Sequence, residues 1–169
     1  TGLTLVFKGS PSDHGFGLDA SEATIARALD GIYLDAGIAI ECDIGPMSKD
    51  APLVIAALVK KLGVVPGEVT LRAGFDPLGA IALAGGSPIP WRDIAPIFVK
   101  LIGDLSAQGF KGPFAVADGR VVHAAGGSEA QELAFALACA VAYLRALEDG
   151  GMALDTARQY LGSGGFPGS

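Results

Sequence analysis

Residues 36–73, AGIAIECDIGPMSKDAPLVIAALVKKLGVVPGEVTLRA, contain a predicted strand, a predicted helix and a second predicted strand in succession. The apolar runs 36–42 and 69–73 are typical of buried strands. Between them, residues from about 52 to 62 form a helical pattern that has Pro52 near its first turn and two lysines near its end. A strand–helix–strand unit of roughly 35 residues predicts two parallel strands joined by a crossover helix.

The same alternation continues on both sides of this unit. Further strands are predicted at 4–7 and 114–117, and further helices at 21–29, 91–108 and 128–148. Four strands that alternate with four helices imply an α/β fold with a parallel sheet and right-handed crossovers. A doubly wound sheet and a barrel both fit this pattern. Because no G-x-G-x-x-G follows the first strand and no P-loop occurs, nucleotide binding is disfavoured.

Composition excludes several classes of protein. Half of the 169 residues are apolar, which argues against intrinsic disorder, and the formal charge of −6 argues against nucleic acid as a partner. The longest apolar run, 133–144, is too short to span a bilayer, so we expect no membrane partner. Cys42 and Cys139 lie far apart in apolar sequence, which predicts buried reduced thiols and favours a cytoplasmic protein.

Candidate functional residues follow the predicted strands, since the loops at the carboxyl ends of parallel strands carry the chemistry of such folds. These substrate-face candidates are His14, Phe16, Asp43, Asp76 and His123. An Asp13/His14 or Asp118/His123 pair would suit acid–base work. The simpler interpretation, which we favour, is that the aspartates cap turns or helices and the histidines bond to the backbone. Two scattered histidines without a Cys/His cluster predict no metal site, and no serine lies in a G-x-S-x-G elbow.

Three segments carry a resemblance to a known family: Phe-Asp-Pro-Leu-Gly at 75–79, HAAGGSEAQELA at 123–134, and AYLRAL at 142–147. These segments resemble the small (β) subunit of methylmalonyl-CoA mutases, and the resemblance extends from Gly2 to about Ala157.

The resemblance implies a (β/α)8 barrel that threads an acyl-CoA through its axis, and a separate flavodoxin-like domain that binds adenosylcobalamin. Residues 1–161 are then about four βα units, roughly half of a TIM-type barrel, and adenosylcobalamin binds mainly outside them. Residues 162–169 are interpreted as a linker-like tail that carries no fold information, because relatives continue into an aromatic-rich helix after the position of Arg158.

The catalytic residues of the family do not carry over to this sequence. Phe16 stands where catalytic chains have a tyrosine, and Gly74 where they have a glutamine. Residues 74–86 include no arginine to hold the substrate carboxylate, and Val121 replaces the histidine that binds the thioester carbonyl, with His123 two positions later. A substrate carboxylate buried without a bidentate partner is costly, and the thioester oxygen has no donor. No catalytic residue is therefore expected.

Three functional hypotheses follow. The favoured one is a non-catalytic small subunit that forms a heterodimer with a catalytic chain of a cobalamin-dependent isomerase. The second is a catalytic acyl-CoA mutase relative with an altered substrate that uses Asp76, His14 and His123 in new roles. The third is an acyl-CoA-binding barrel that has no partner.

For the structure, we predict parallel strands in the order 1-2-3-4, curved like half a barrel, with the helices on the convex side. His14, Asp43, Asp76 and His123 are predicted to project from the same end of the sheet. We also predict that an apolar inner face is open to water in the isolated chain and promotes self-association. That face would consist of Leu3, Leu5, Phe7, Ile38, Ile40, Val69, Leu71, Phe114 and Val116.

Overall fold

A computed structural model describes residues 2–164, in which five parallel strands alternate with helices. The strands are β1 Gly2–Val6, β2 Ala39–Asp43, β3 Leu71–Arg72, β4 Ala115–Asp118 and β5 Leu161–Gly164. The α-helices are α1 Glu22–Ala28, α2 Ala51–Lys61, α3 Pro77–Leu83, α4 Trp91–Ala107, α5 Arg120–Ala124, α6 Glu129–Asp149 and α7 Leu154–Gln159. Two 3₁₀ turns, Pro46–Ser48 and Pro66–Glu68, flank α2.

The strands lie in chain order, and every pairing is parallel. One ladder joins β1, β2 and β3, and another joins β4 and β5. A parallel bridge between Phe75 and Ala115 connects the two ladders, with hydrogen bonds from the Phe75 amide to the Phe114 carbonyl (2.9 Å) and from the Val116 amide to the Phe75 carbonyl (3.0 Å). Within residues 2–164 the strand order has no reversal, and the predicted parallel α/β fold is confirmed.

Consecutive helices pack side by side, α1 on α2, α2 on α4 and α4 on α6. Because the strands follow chain order and crossovers are right-handed, these helices lie on one side of the sheet. A doubly wound sheet would divide its helices between two faces. The one-sided arrangement is that of a partial α/β barrel, and it selects the barrel from the two alternatives that the strand–helix pattern allows.

The predicted inner face was wrong for the first three strands, because their large apolar residues lie in the core. Leu5, Phe7, Ile40 and Leu71 are all buried. On β4 the core residues are Ala115 and Ala117, so Val116 lies on the opposite face, as predicted. Since side chains alternate across a strand, the opposite face carries the residues between them. We call this second surface the open face, and its members on the first three strands are Thr4, Val6, Ala39, Glu41, Asp43 and Arg72.

Side-chain caps mark the starts of two predicted helices, α1 and α6. The Ser21 hydroxyl accepts the Thr24 amide (3.4 Å) at the start of α1. Ser128 and Gln131 form a reciprocal capping box at the start of α6, with the Ser128 amide donating to Gln131 Oε1 (2.8 Å). Both caps satisfy amides that have no partner inside the helix.

Three short helices and one strand do not follow from the sequence pattern. Helices α3, α5 and α7 have only five to seven residues each, too few for helical periodicity to show. Strand β5 overlaps the predicted tail, so residues 162–164 do carry fold information; the rest of that tail lies outside the described residues. A Gly/Ser stretch can pair because the ladder is made by backbone groups alone.

Helix α6 is longer than its apolar run. Within the described residues it is the one helix whose length and composition would allow it to cross a membrane, and 22% of its most apolar window is buried. Its carboxyl-terminal half supplies Cys139, Tyr143, Ala146 and Leu147 to the core. Both cysteines are buried free thiols, and burial raises the pKa of Cys139 to about 11.

Candidate functional site

The two ends of the loop after β1 are joined by hydrogen bonds to one carboxylate. Asp13 accepts hydrogen bonds from the Gly9 amide (3.0 Å) and the Gly17 amide, and these two bonds lower its pKa. Asp13 is therefore committed to the loop rather than to His14, which is exposed and has a φ of 41°. Phe16 projects into solvent with 92% of its surface exposed.

The loop after β2 packs directly on the loop after β1. A Cβ at Gly45 would lie 1.9 Å from the Gly9 carbonyl oxygen, so only glycine permits this approach. The Ser48 hydroxyl accepts the Gly45 amide (3.0 Å) and donates to the Lys8 carbonyl (3.2 Å). These contacts fix the end of β2, where half-buried Asp43 lies on the open face.

Gly74 follows β3 at a point where the chain passes close to β2. Its φ of +70° favours glycine, and a Cβ at this position would lie 2.1 Å from the Cys42 carbonyl oxygen. No residue with a side chain fits here unless the two strands separate.

Asp76 is held by a network that links the loop after β3 to α6. Its carboxylate accepts the Gly79 amide (3.0 Å), which caps α3, and also the Tyr143 hydroxyl. The same hydroxyl accepts the Leu78 amide (2.9 Å). Burial raises the pKa of Asp76, and the bonds from Tyr143 and Gly79 oppose that rise. This geometry makes Asp76 a structural cap, as the simpler interpretation predicts.

The segment after β4 pairs its charged residues locally. The Arg120 guanidinium bonds to the Asp118 carboxylate (Nε–Oδ2 2.7 Å), an interaction that raises the pKa of Arg120. His123 is exposed, and its Nδ1 lies 3.4 Å from Glu132 Oε2. The proposed Asp118/His123 pair therefore does not form. Val121, in the first turn of α5, is partly buried.

Parallel strands place the loops that carry His14, Asp43, Asp76 and His123 at one end of the sheet. Two of these side chains have partners in the described residues: Asp76 accepts from the Gly79 amide and the Tyr143 hydroxyl, and His123 lies against Glu132. Within residues 2–164, neither histidine forms an ion pair with a candidate aspartate. In the same part of the chain, no three His, Cys, Asp or Glu side chains are grouped so as to hold a metal ion.

Charges on the open face were missed by the sequence reading. Thr4, Glu41 and Arg72 lie in register across β1, β2 and β3, and Asp43 follows one pleat further along β2. TIM barrels usually fill this interior with bulky branched apolar residues. The signal was available, because Glu41 and Arg72 interrupt otherwise apolar strands.

Tyr143 was also missed. It lies one helical turn from Cys139 and from Leu147 on the buried stripe of α6. A hydroxyl on a buried helix stripe needs a hydrogen-bond partner, which is the signal that could have identified it.

Comparison with known proteins gives a consistent result. The family model described as methylmalonyl-CoA mutase matches residues 12–162. A methylmalonyl-CoA mutase small subunit from Streptomyces virginiae is 35% identical over 134 residues, which are 79% of this chain and 21% of the relative. Probable small subunits from Mycobacterium bovis and Mycobacterium tuberculosis are 31% identical over 136 residues with the same coverage. The resemblance read from the sequence is confirmed, and the chain spans about a fifth of the length of these relatives.

Proposed function

Because the chain belongs to the methylmalonyl-CoA mutase family, whose reaction is an isomerisation, we propose that it is part of a non-catalytic small subunit. In this proposal it pairs with a catalytic mutase subunit that binds the acyl-CoA and adenosylcobalamin. The small-subunit names of its relatives support such a pairing.

The backbone at Gly74 is the observation that carries the proposal. The resemblance places a glutamine of catalytic chains at this position. In this chain the positive φ and the 2.1 Å approach of the Cys42 carbonyl oxygen leave no space for a glutamine side chain. Because the close approach of the two strands excludes a glutamine at position 74, the substitution Gly74→Gln is not expected to restore the catalytic side chain.

Charge on the open face gives a second reason. The resemblance implies that acyl-CoA, which is a polyanion, passes through the interior of the barrel. Here Glu41 and Asp43 contribute two carboxylates against the one cation Arg72, and Asp118 and Arg120 follow at the end of β4. Arg120 is already bonded to Asp118. A surface with this balance repels an anionic ligand instead of attracting it.

The residues of this chain do not fit adenosylcobalamin either. Phe16, which replaces the family's tyrosine, is an exposed loop residue with no hydroxyl, and His14 and His123 lie on separate segments, the loop after β1 and helix α5. The cofactor therefore belongs to other parts of the assembly, and none of the chemistry is assigned to these residues.

The test is co-expression of the tagged chain with the catalytic large subunit of the same organism, followed by a mutase assay with adenosylcobalamin and methylmalonyl-CoA. We expect a stable complex that is active, while the chain alone is inactive. Turnover by the chain alone would refute the non-catalytic assignment, and failure to form a complex would refute the pairing.

A further inference from the structure

We draw no further inference here: the strongest candidate, the apolar groove between α4 and α6 that Trp91 and Ala142 line, is bordered by cations that neighbouring carboxylates balance, and nothing in residues 2–164 shows what covers it.

Discussion

Replacing Tyr143 with phenylalanine tests the network that joins the loop after β3 to α6. The substitution removes only the hydroxyl and keeps the ring, whose centroid lies 4.8 Å from that of Phe98 and 5.7 Å from that of Trp91. Two hydrogen bonds disappear: the one donated to Asp76 and the one accepted from the Leu78 amide (2.9 Å).

The free energy of unfolding should fall by about 2–4 kcal/mol at pH 7. A hydrogen bond to a charged group contributes roughly 1.5–3 kcal/mol, and a partly buried amide left without an acceptor adds to the loss. Aromatic packing is unchanged, so no cavity contributes.

The loss should be smaller near pH 4. Burial raises the pKa of Asp76 and the bond from Tyr143 opposes that rise, so the substitution moves the folded-state pKa further up. A raised folded-state pKa gives stability that is present below the unfolded value of 3.8 and is lost as the pH rises through the folded-state pKa. Wild type and variant therefore differ least in acid, where both carry a protonated Asp76.

The assay is urea unfolding at pH 4 and pH 7, followed by circular dichroism and by the fluorescence of Trp91, the single tryptophan. Tyr160→Phe is the matched control, because it removes a bond between two neutral hydroxyls, Tyr160 and Ser106 (2.7 Å). The control should lose about 0.5–1.5 kcal/mol equally at both pH values. An equal loss at both pH values for Tyr143→Phe would refute the role assigned to Asp76.

Four further outcomes are expected. Gly74→Ala should destabilise by more than about 3 kcal/mol or prevent folding, while Gly31→Ala, with a similar φ (+74°) but open space, should cost about 1 kcal/mol in the same urea assay. Asp13→Ala should speed hydrogen exchange of the Gly9 and Gly17 amides, which donate hydrogen bonds to the Asp13 carboxylate. In the wild type the pKa of Asp13 is lowered, so its ionised carboxylate protects those amides above pH 3.8. The protection is lost as the pH falls through the folded-state pKa. Ser128→Ala should lower the free energy of unfolding by about 1 kcal/mol, and an unchanged midpoint would contradict the capping box. Leu137→Lys should reduce binding of a hydrophobic dye and self-association in sedimentation, because this side chain is 57% exposed on the apolar face of α6.

Much of the fold was predictable because its long elements carry strong local signals. The segment from 36 to 73 shows a strand, a helix and a strand, and the structure has β2, α2 and β3 there. Helices α4 and α6 begin and end within a residue of their predicted limits. Their periodicity and caps are local properties, whereas α3, α5 and α7 depend on tertiary contacts that a short sequence window does not record.

The candidate site was predictable in position only. Parallel order is sufficient to bring the loops of His14 and His123 to one end of the sheet. Which partner each side chain takes depends on contacts distant in sequence, such as Tyr143 with Asp76 across 67 positions. The catalytic or binding roles of these residues remain predictions.

The error in assigning the strand faces has a physical explanation that also bears on function. The prediction assumed that barrel strands place their large apolar residues toward the axis, and it therefore expected a wet apolar surface. In this chain Leu5, Phe7, Ile40 and Leu71 lie beneath the helices instead, where each one adds to the core that holds a partial barrel together. With the core on that side, the open face is free to carry Glu41 and Arg72 without exposing a large apolar surface. A polar axis therefore follows from the needs of stability and by itself does not indicate a substrate path.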